Sequence, residues 1–272
     1  MVIATKEAFK FTGKDAEYYD QLLGPILFEP YGRYLASQID ISGVESALEI
    51  AAGTGRVTRQ IRKVLPPSVR FVATDISNDM LSIARHELNN NGINFKVEDA
   101  QDLSFPDNSF DLVICQFGMM FLPDRNKGFS EIYRVLKPGG KFMCFTWDDT
   151  RNMPFFELYI NDLVVPNFAD EDTTRFFTPF SMYEPQSLQK YFSDAGFKDV
   201  QVVHVSLKSG SATPDNLVNA FFRKHMLGKE VSTKDAALLE PLAQKMEQET
   251  GRKFGHTKIE LDLSALLTTG VK

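Results

Sequence analysis

The stretch Ser46-Ala-Leu-Glu-Ile-Ala-Ala-Gly-Thr-Gly-Arg-Val-Thr58, then a helical segment, then Val69-Arg-Phe-Val-Ala-Thr-Asp75, decides the fold. An apolar strand ends at Glu49, a turn of small residues (Ala51, Ala52, Gly53, Thr54, Gly55) opens a helix, and a second apolar strand ends at Asp75. The pattern is that of a βαβ unit. Two glycines within three residues let backbone approach a ligand closely, because no Cβ intervenes. The helix N-terminus adds unpaired N–H groups that favour an anionic group such as a carboxylate. A carboxylate about twenty residues on, at the end of the second strand, is placed to accept hydrogen bonds from ribose hydroxyls. The unit reads as a holder for a nucleoside-containing ligand.

Outward from this unit, strands are expected over 47–50, 70–74, 94–98, 110–116 and 141–147. Helices are expected over 55–64, 79–90 and 125–135. Pro66-Pro67 cannot continue the first of these helices, and Ser77 or Asn78 can cap the second. Residues 110–116 are nearly all apolar, as a central parallel strand buried on both faces requires. Five alternations of strand and helix imply an open parallel sheet with helices on both faces. Upstream, residues 14–39 read as helical, interrupted by Gly24-Pro25. Downstream of Asp149 the rhythm breaks. Residues 153–183 are rich in Phe and Pro and show no clean period. Then follow a helix (186–195), a strand (198–207), two helical stretches (215–226 and 233–251) and a last strand (259–267).

Composition narrows the class. The 272 residues suffice for one α/β domain with insertions, and such a core needs no disulfide or metal. Cys115 and Cys144 both lie in apolar strands and read as reduced, buried thiols, which suits a reducing cytoplasm. The formal charge of −6 argues against nucleic acid as partner. No apolar run is long enough to span a membrane, and the first residues carry no signal-peptide core. No His/Cys spacing suggests a metal.

Four polar residues close successive strands: Glu49, Asp75, Asp99 just after the third, and Gln116. Ligands of open α/β sheets bind beyond these carboxyl ends. With Glu49-Ile-Ala-Ala-Gly-Thr-Gly, Asp75-Ile-Ser, Val97-Glu-Asp-Ala, Phe110-Asp-Leu-Val and Arg134-Val-Leu-Lys-Pro-Gly-Gly, the chain resembles the class I S-adenosylmethionine-dependent methyltransferases over residues 46–149. The stretch Cys115-Gln-Phe-Gly-Met-Met-Phe-Leu-Pro-Asp resembles their small-molecule branch, which includes ubiquinone and menaquinone biosynthesis methyltransferases. A plain dinucleotide fold would want a third glycine where Thr58 stands. The family's first glycine is Ala51 here.

The resemblance implies a three-layer, Rossmann-like, seven-stranded and mostly parallel sheet with one antiparallel strand and helical cap insertions. It implies one methyltransferase domain over 1–272: an N-terminal helical cap (1–43), a cofactor-binding core (44–149), and substrate-cap insertions (150–185 and 208–258). The cofactor implied is S-adenosyl-L-methionine, with S-adenosyl-L-homocysteine as product. Carried over by position, backbone at Ala51, Gly53, Thr54 and Gly55 faces the methionine part, while Glu49 orders the glycine turn. Asp75 binds the ribose hydroxyls, Ile76 and Met80 flank the adenine, and Asp99 and the Ala100 N–H read its edge. Gln116 and Phe117 lie near the methionine end, and Tyr19 on the N-terminal helix closes over the cofactor.

The reaction needs a nucleophile brought in line, water excluded and sometimes a base. Of His86, His204, His225 and His256, the base candidate is His225, in an insertion that can cap the site. Phe155, Phe156, Phe176, Phe177 and Phe180 either make the acceptor pocket apolar or pack the lid onto the body. The expected acceptor is a small hydrophobic or aromatic molecule. Alternatives are a module that binds the cofactor without turnover, and a methyltransferase acting on protein or RNA.

Overall fold

The computed structural model describes residues 13–89 and 91–272. Residues 1–12 of the expected N-terminal cap, and Asn90 at the expected end of helix 79–90, lie outside the described residues. One sheet is formed by β1 (Ser46–Glu49), β2 (Arg70–Asp75), β3 (Ile93–Val97), β4 (Phe110–Gln116), β5 (Leu136–Trp147), β6 (Lys198–Lys208) and β7 (Asp262–Val271). Its order is β3-β2-β1-β4-β5-β7-β6. β1 to β5 pair in parallel, and β7 runs antiparallel to both β5 and β6. The fold is therefore the expected seven-stranded, mostly parallel one. Leu48 of β1 sits between Val72 and Val113, so the middle of the sheet is aliphatic on both sides.

The helices, in chain order, are α1 (Lys14–Tyr18), α2 (Glu29–Ser37), α3 (Arg56–Val64), α4 (Asn78–Leu88), α5 (Arg125–Val135), α6 (Pro154–Phe156), α7 (Pro185–Ala195), α8 (Pro214–Val218), α9 (Met226–Lys234) and α10 (Leu239–Phe254). Ser77 caps α4 by accepting the Met80 N–H at 3.3 Å, and Asp124 caps α5 by accepting the Lys127 N–H at 3.0 Å. Because β1 to β4 are parallel, their carboxyl ends lie on one side of the sheet, and the polar residues that close them converge there.

Several expectations are corrected. Gly24-Pro25 does not interrupt the N-terminal helix; a π-helical segment (Tyr19–Phe28) joins α1 to α2 without a break. Pro25 lacks an N–H and crowds the preceding turn. The wider turn, in which the Glu29 N–H bonds the Gly24 carbonyl, absorbs both defects. Residues 153–183 are helical, built from α6, a π segment (Glu157–Val164) and 3-10 turns (Val165–Phe168 and Thr174–Phe180). Such turns do not repeat at 3.6 residues, so no helical period shows in the sequence. The helix expected over 215–226 is α8 plus another π segment (Asn219–Arg223), and the stretch expected over 233–251 divides among the end of α9, a 3-10 turn (Ala236–Leu238) and α10. β7 extends to Val271 because Lys141 to Trp147 of β5 supply partners from Val271 back to Ala265.

Candidate functional site

The turn after β1 is bent by three residues of positive φ: Ala51 (54°), Gly53 (55°) and Gly55 (82°). For an alanine this conformation costs about 1–2 kcal/mol, so the neighbourhood must enforce it. Ala52 N–H donates to the Thr74 carbonyl at 2.9 Å, and Gly53 N–H donates to Asp75 Oδ2 at 2.9 Å. Asp75 Oδ1 accepts the Ser77 N–H at 2.8 Å. One carboxylate thus ties the glycine turn to the end of β2. Burial pushes the Asp75 carboxyl above its ordinary range, against the pull of these N–H groups. A Cβ built on Gly53 would meet nothing within 4 Å, because the turn faces a cavity.

That cavity holds about 360 Å³. Its wall takes in Tyr19, Ala51, Gly53, Asp75, Ile76 and Met80 on one side, and Asp99, Ala100, Gln116 and Phe117 on the other. Ile76 is 55 % exposed, an apolar side chain left open beside the carboxylate. Asp99 Oδ1 accepts both the backbone N–H (2.9 Å) and the side-chain amide (3.1 Å) of Gln101. The Gln101 carbonyl oxygen then accepts the Asp124 N–H at 2.8 Å, linking the β3 end to the start of α5. Gln116 is 7 % exposed; its Nε2 donates to the Phe28 carbonyl at 2.9 Å, while its Oε1 is buried with no hydrogen-bond partner among the described residues. Phe117, at φ 57°, stacks on Trp147 with ring centroids 3.7 Å apart.

Three expected residues lie beneath this wall rather than on it. Glu49 is 1 % exposed, and burial pushes its carboxyl up to about 8, with Asp75 adding to the rise and the Thr58 hydroxyl opposing it. Its Oε2 has no hydrogen-bond partner. Thr54 is buried. Gly55 packs α3 on α4, since a Cβ there would lie 3.0 Å from Ala84 Cβ and Leu88 Cδ1. The wall also includes Thr74, Ser77, Asn78, Asp79, Glu98, Gln101, Gly118, Phe121, Leu122 and Pro123, which sequence reasoning did not assign to the cofactor. Gln101 carried a readable signal, a polar residue two positions beyond a strand-end carboxylate. Gly118 did not: a Cβ there would lie 2.4 Å from Ala51 Cβ and 2.8 Å from Cys115 Sγ.

A second cavity, of about 1170 Å³, shares Leu122 and Pro123 with the first. Phe177, Phe180 and Tyr183 of the lid and Tyr191 of α7 line it, with Arg125, Asp149, Arg151 and Glu157 also on its wall. Phe155, Phe156 and Phe176 are buried instead: Phe155 lies 4.1 Å from Tyr159 of its own segment and 5.0 Å from Phe221 of segment 208–258, and Phe156 lies 6.5 Å from Trp147 of β5, ring to ring. His225 is displaced from its expected role. It caps α9, its Nδ1 accepting the Leu227 N–H at 3.2 Å, and burial pushes it down to about 4. No histidine lines either cavity. Among the described residues, no group of three or more His, Cys, Asp or Glu is placed to hold a metal ion. Among the same residues, no helix is long and apolar enough to cross a membrane.

Comparison with known proteins agrees with this geometry. The methyltransferase domain family matches residues 48–144. The chain is 31 % identical, over 187 residues, to the ubiquinone/menaquinone biosynthesis C-methyltransferase of Pasteurella multocida, covering 62 % of this chain and 69 % of that one. The corresponding enzyme of Hydrogenovibrio crunogenus is 28 % identical over 204 residues, covering 69 % and 80 %. Among solved structures, the YcgJ protein of Bacillus subtilis shares the fold, with a TM-score of 0.56 at 20 % identity, over 89 % of this chain and 98 % of that one.

Proposed function

Because the chain belongs to the class I S-adenosylmethionine-dependent methyltransferases, we propose that its acceptor is a small molecule with an apolar or aromatic body. It is a methyltransferase, and S-adenosylmethionine is its cofactor. The residues present fit that cofactor. Gly53 leaves its side open, the buried Gln116 Oε1 has no hydrogen-bond partner among the described residues, and Asp75 lies on the cavity wall. Asp75 would hold the ribose hydroxyls, Ile76 and Met80 would flank the adenine, and Asp99 with Ala100 would read its edge. Gln116 and the Ala51–Gly53 backbone would hold the methionine end, and Tyr19 would cover it. When bound, the cofactor supplies an electrophilic methyl on a sulfonium; the protein orients the acceptor and excludes water.

The observation that carries the acceptor class is the shared wall at Leu122 and Pro123, where the cofactor cavity meets a larger one bearing Phe177, Phe180, Tyr183 and Tyr191. Segment 150–185 would then serve as the substrate cap, with segment 208–258 packed against it through Phe155 and Phe221. The two relatives are C-methyltransferases, which supports carbon as the accepting atom. The buried thiols Cys115 and Cys144 support a reducing, cytoplasmic setting. The test is S-adenosylhomocysteine formation over a panel of phenols and quinols, polar amines, peptides and RNA. Acceptor-dependent turnover on the phenols or quinols is expected. Tight cofactor binding without any turnover would instead mark a binding module, and turnover confined to peptide or RNA would overturn the small-molecule reading.

A further inference from the structure

Arg56 is the first residue of α3, directly after Gly53-Thr54-Gly55. A cation is poorly placed there. The N-terminus of a helix carries partial positive charge, and the first turn of α3 has no acidic residue to offset it. Its partner lies across the site, in the π-helical segment between α1 and α2. Arg56 Nε donates to Asp20 Oδ1 at 2.8 Å, and Nη2 donates to Oδ2 at 2.7 Å and to the Asp20 carbonyl at 3.0 Å. The two side chains are only 18 % and 10 % exposed. A two-pronged guanidinium–carboxylate pair withdrawn from water has essentially one geometry.

The segment is shaped to receive this arginine. A Cβ on Gly24, four residues beyond Asp20, would lie 2.8 Å from Arg56 Nε and 3.2 Å from its Cγ. Tyr19 adjoins Asp20, lines the cofactor cavity and stacks on Phe28 at 5.0 Å. The Phe28 carbonyl in turn receives Gln116 Nε2. Other ties on α1, such as Lys229 to Asp15, are more exposed and correspondingly weak.

We propose that the Asp20–Arg56 pair is a clamp that holds the N-terminal helical segment, and Tyr19 with it, closed over the cofactor. Asp20 and Arg56 are thus positioning residues that set how long the cofactor stays. This rests on the assignment of the 360 Å³ cavity to the cofactor.

The protein carries its own probe, since Trp147 is its one tryptophan and stacks on Phe117 of the cavity wall. Stopped-flow fluorescence can therefore follow S-adenosylhomocysteine release. Arg56→Gln and Asp20→Asn should each speed release by about tenfold or more, as loss of one partner of a buried pair acts on dissociation. The double variant should be no faster than either single one, because both remove the same interaction. Arg56→Lys should be as fast as Arg56→Gln, since an ammonium keeps the charge but not the fork. The cofactor KM should rise more than the acceptor KM. Removing one partner can also unfold the chain. Gly24→Ala avoids this: it disturbs the pair sterically, alters neither charge and inserts a better helix former. It too should speed release. Release within about twofold of wild type in folded Gly24→Ala and Arg56→Gln proteins, or single effects that add, would overturn the clamp. If wild type does not bind S-adenosylhomocysteine, or binding is unchanged by Asp75→Ala, the cavity assignment falls and the clamp with it.

Discussion

Glu49 shows at the scale of one residue how burial becomes a pH dependence. Unfolded, its carboxyl titrates near 4.5; folded, it holds its proton up to about 8 because almost no water reaches it. Between those values the folded state binds the extra proton, so stability falls as pH rises across the window. Asp75, also raised by burial, acts in the same direction. His225 acts oppositely: its folded value of about 4 lies below the ordinary 6.5, so it removes stability as pH falls through that interval. Glu49→Gln should abolish the first effect alone. In urea unfolding at about pH 5.5 and about pH 8, wild type should lose on the order of a few kcal/mol more than the variant between the two conditions. Equal losses would show that Glu49 does not titrate as described. Asp75, Asp99 and Gln116 could be located from sequence because each closes a parallel strand. Glu49 also closes a strand, and Thr54 and Gly55 belong to the turn that follows, yet all three lie beneath the wall, since neighbouring residues face different ways. The His225 side chain could not be placed, because capping by Nδ1 depends on where α9 begins.

At the scale of elements, the glycine turn and the turn after β4 are fitted to each other. Ala51 stands where the family's pattern has glycine, and its methyl lies where a Gly118 side chain would go. Gly118→Ala should therefore destabilise the fold by about 1–3 kcal/mol, the usual cost of overpacking. Adding Ala51→Gly should recover part of that loss but not all, because Cys115 Sγ remains 2.8 Å from the new Cβ. Urea titration of the single and double variants reads the difference, and a double variant no more stable than Gly118→Ala would count against the contact. This fit was not legible in the sequence, since the two turns are over sixty residues apart and meet only because β1 and β4 pair. α5 was read at its observed limits, Arg125–Val135, because an aspartate cap precedes it and Lys137-Pro-Gly-Gly follows. The π segment at Glu157–Val164 escaped notice for the opposite reason, since its spacing departs from the helical period by which helices are recognised, whereas Tyr19–Phe28 and Asn219–Arg223 lie within stretches the sequence reads as helical.

Over the whole molecule, the core and the caps differ in how far sequence reaches. The order β3-β2-β1-β4-β5-β7-β6 has the topology that the family motifs imply and that the alternation of strands and helices alone does not give. Residues 150–185 and 208–258 carry no such rhythm; their shape is set by phenylalanines such as Phe155 and Phe156, which find partners only in the folded chain. The first cavity, built from strand ends, is therefore readable from motifs, and the second, lined largely by residues 149–183, is not. On this reading the cavity bounded by Gly53, Asp75, Asp99 and Gln116 holds S-adenosylmethionine. Calorimetric titration of S-adenosylhomocysteine into wild type and Asp75→Ala tests it most directly. The account predicts binding to wild type that weakens by about 1.5–3 kcal/mol in the variant, the range for hydrogen bonds to a charged group. Unchanged affinity in a folded Asp75→Ala protein would contradict it.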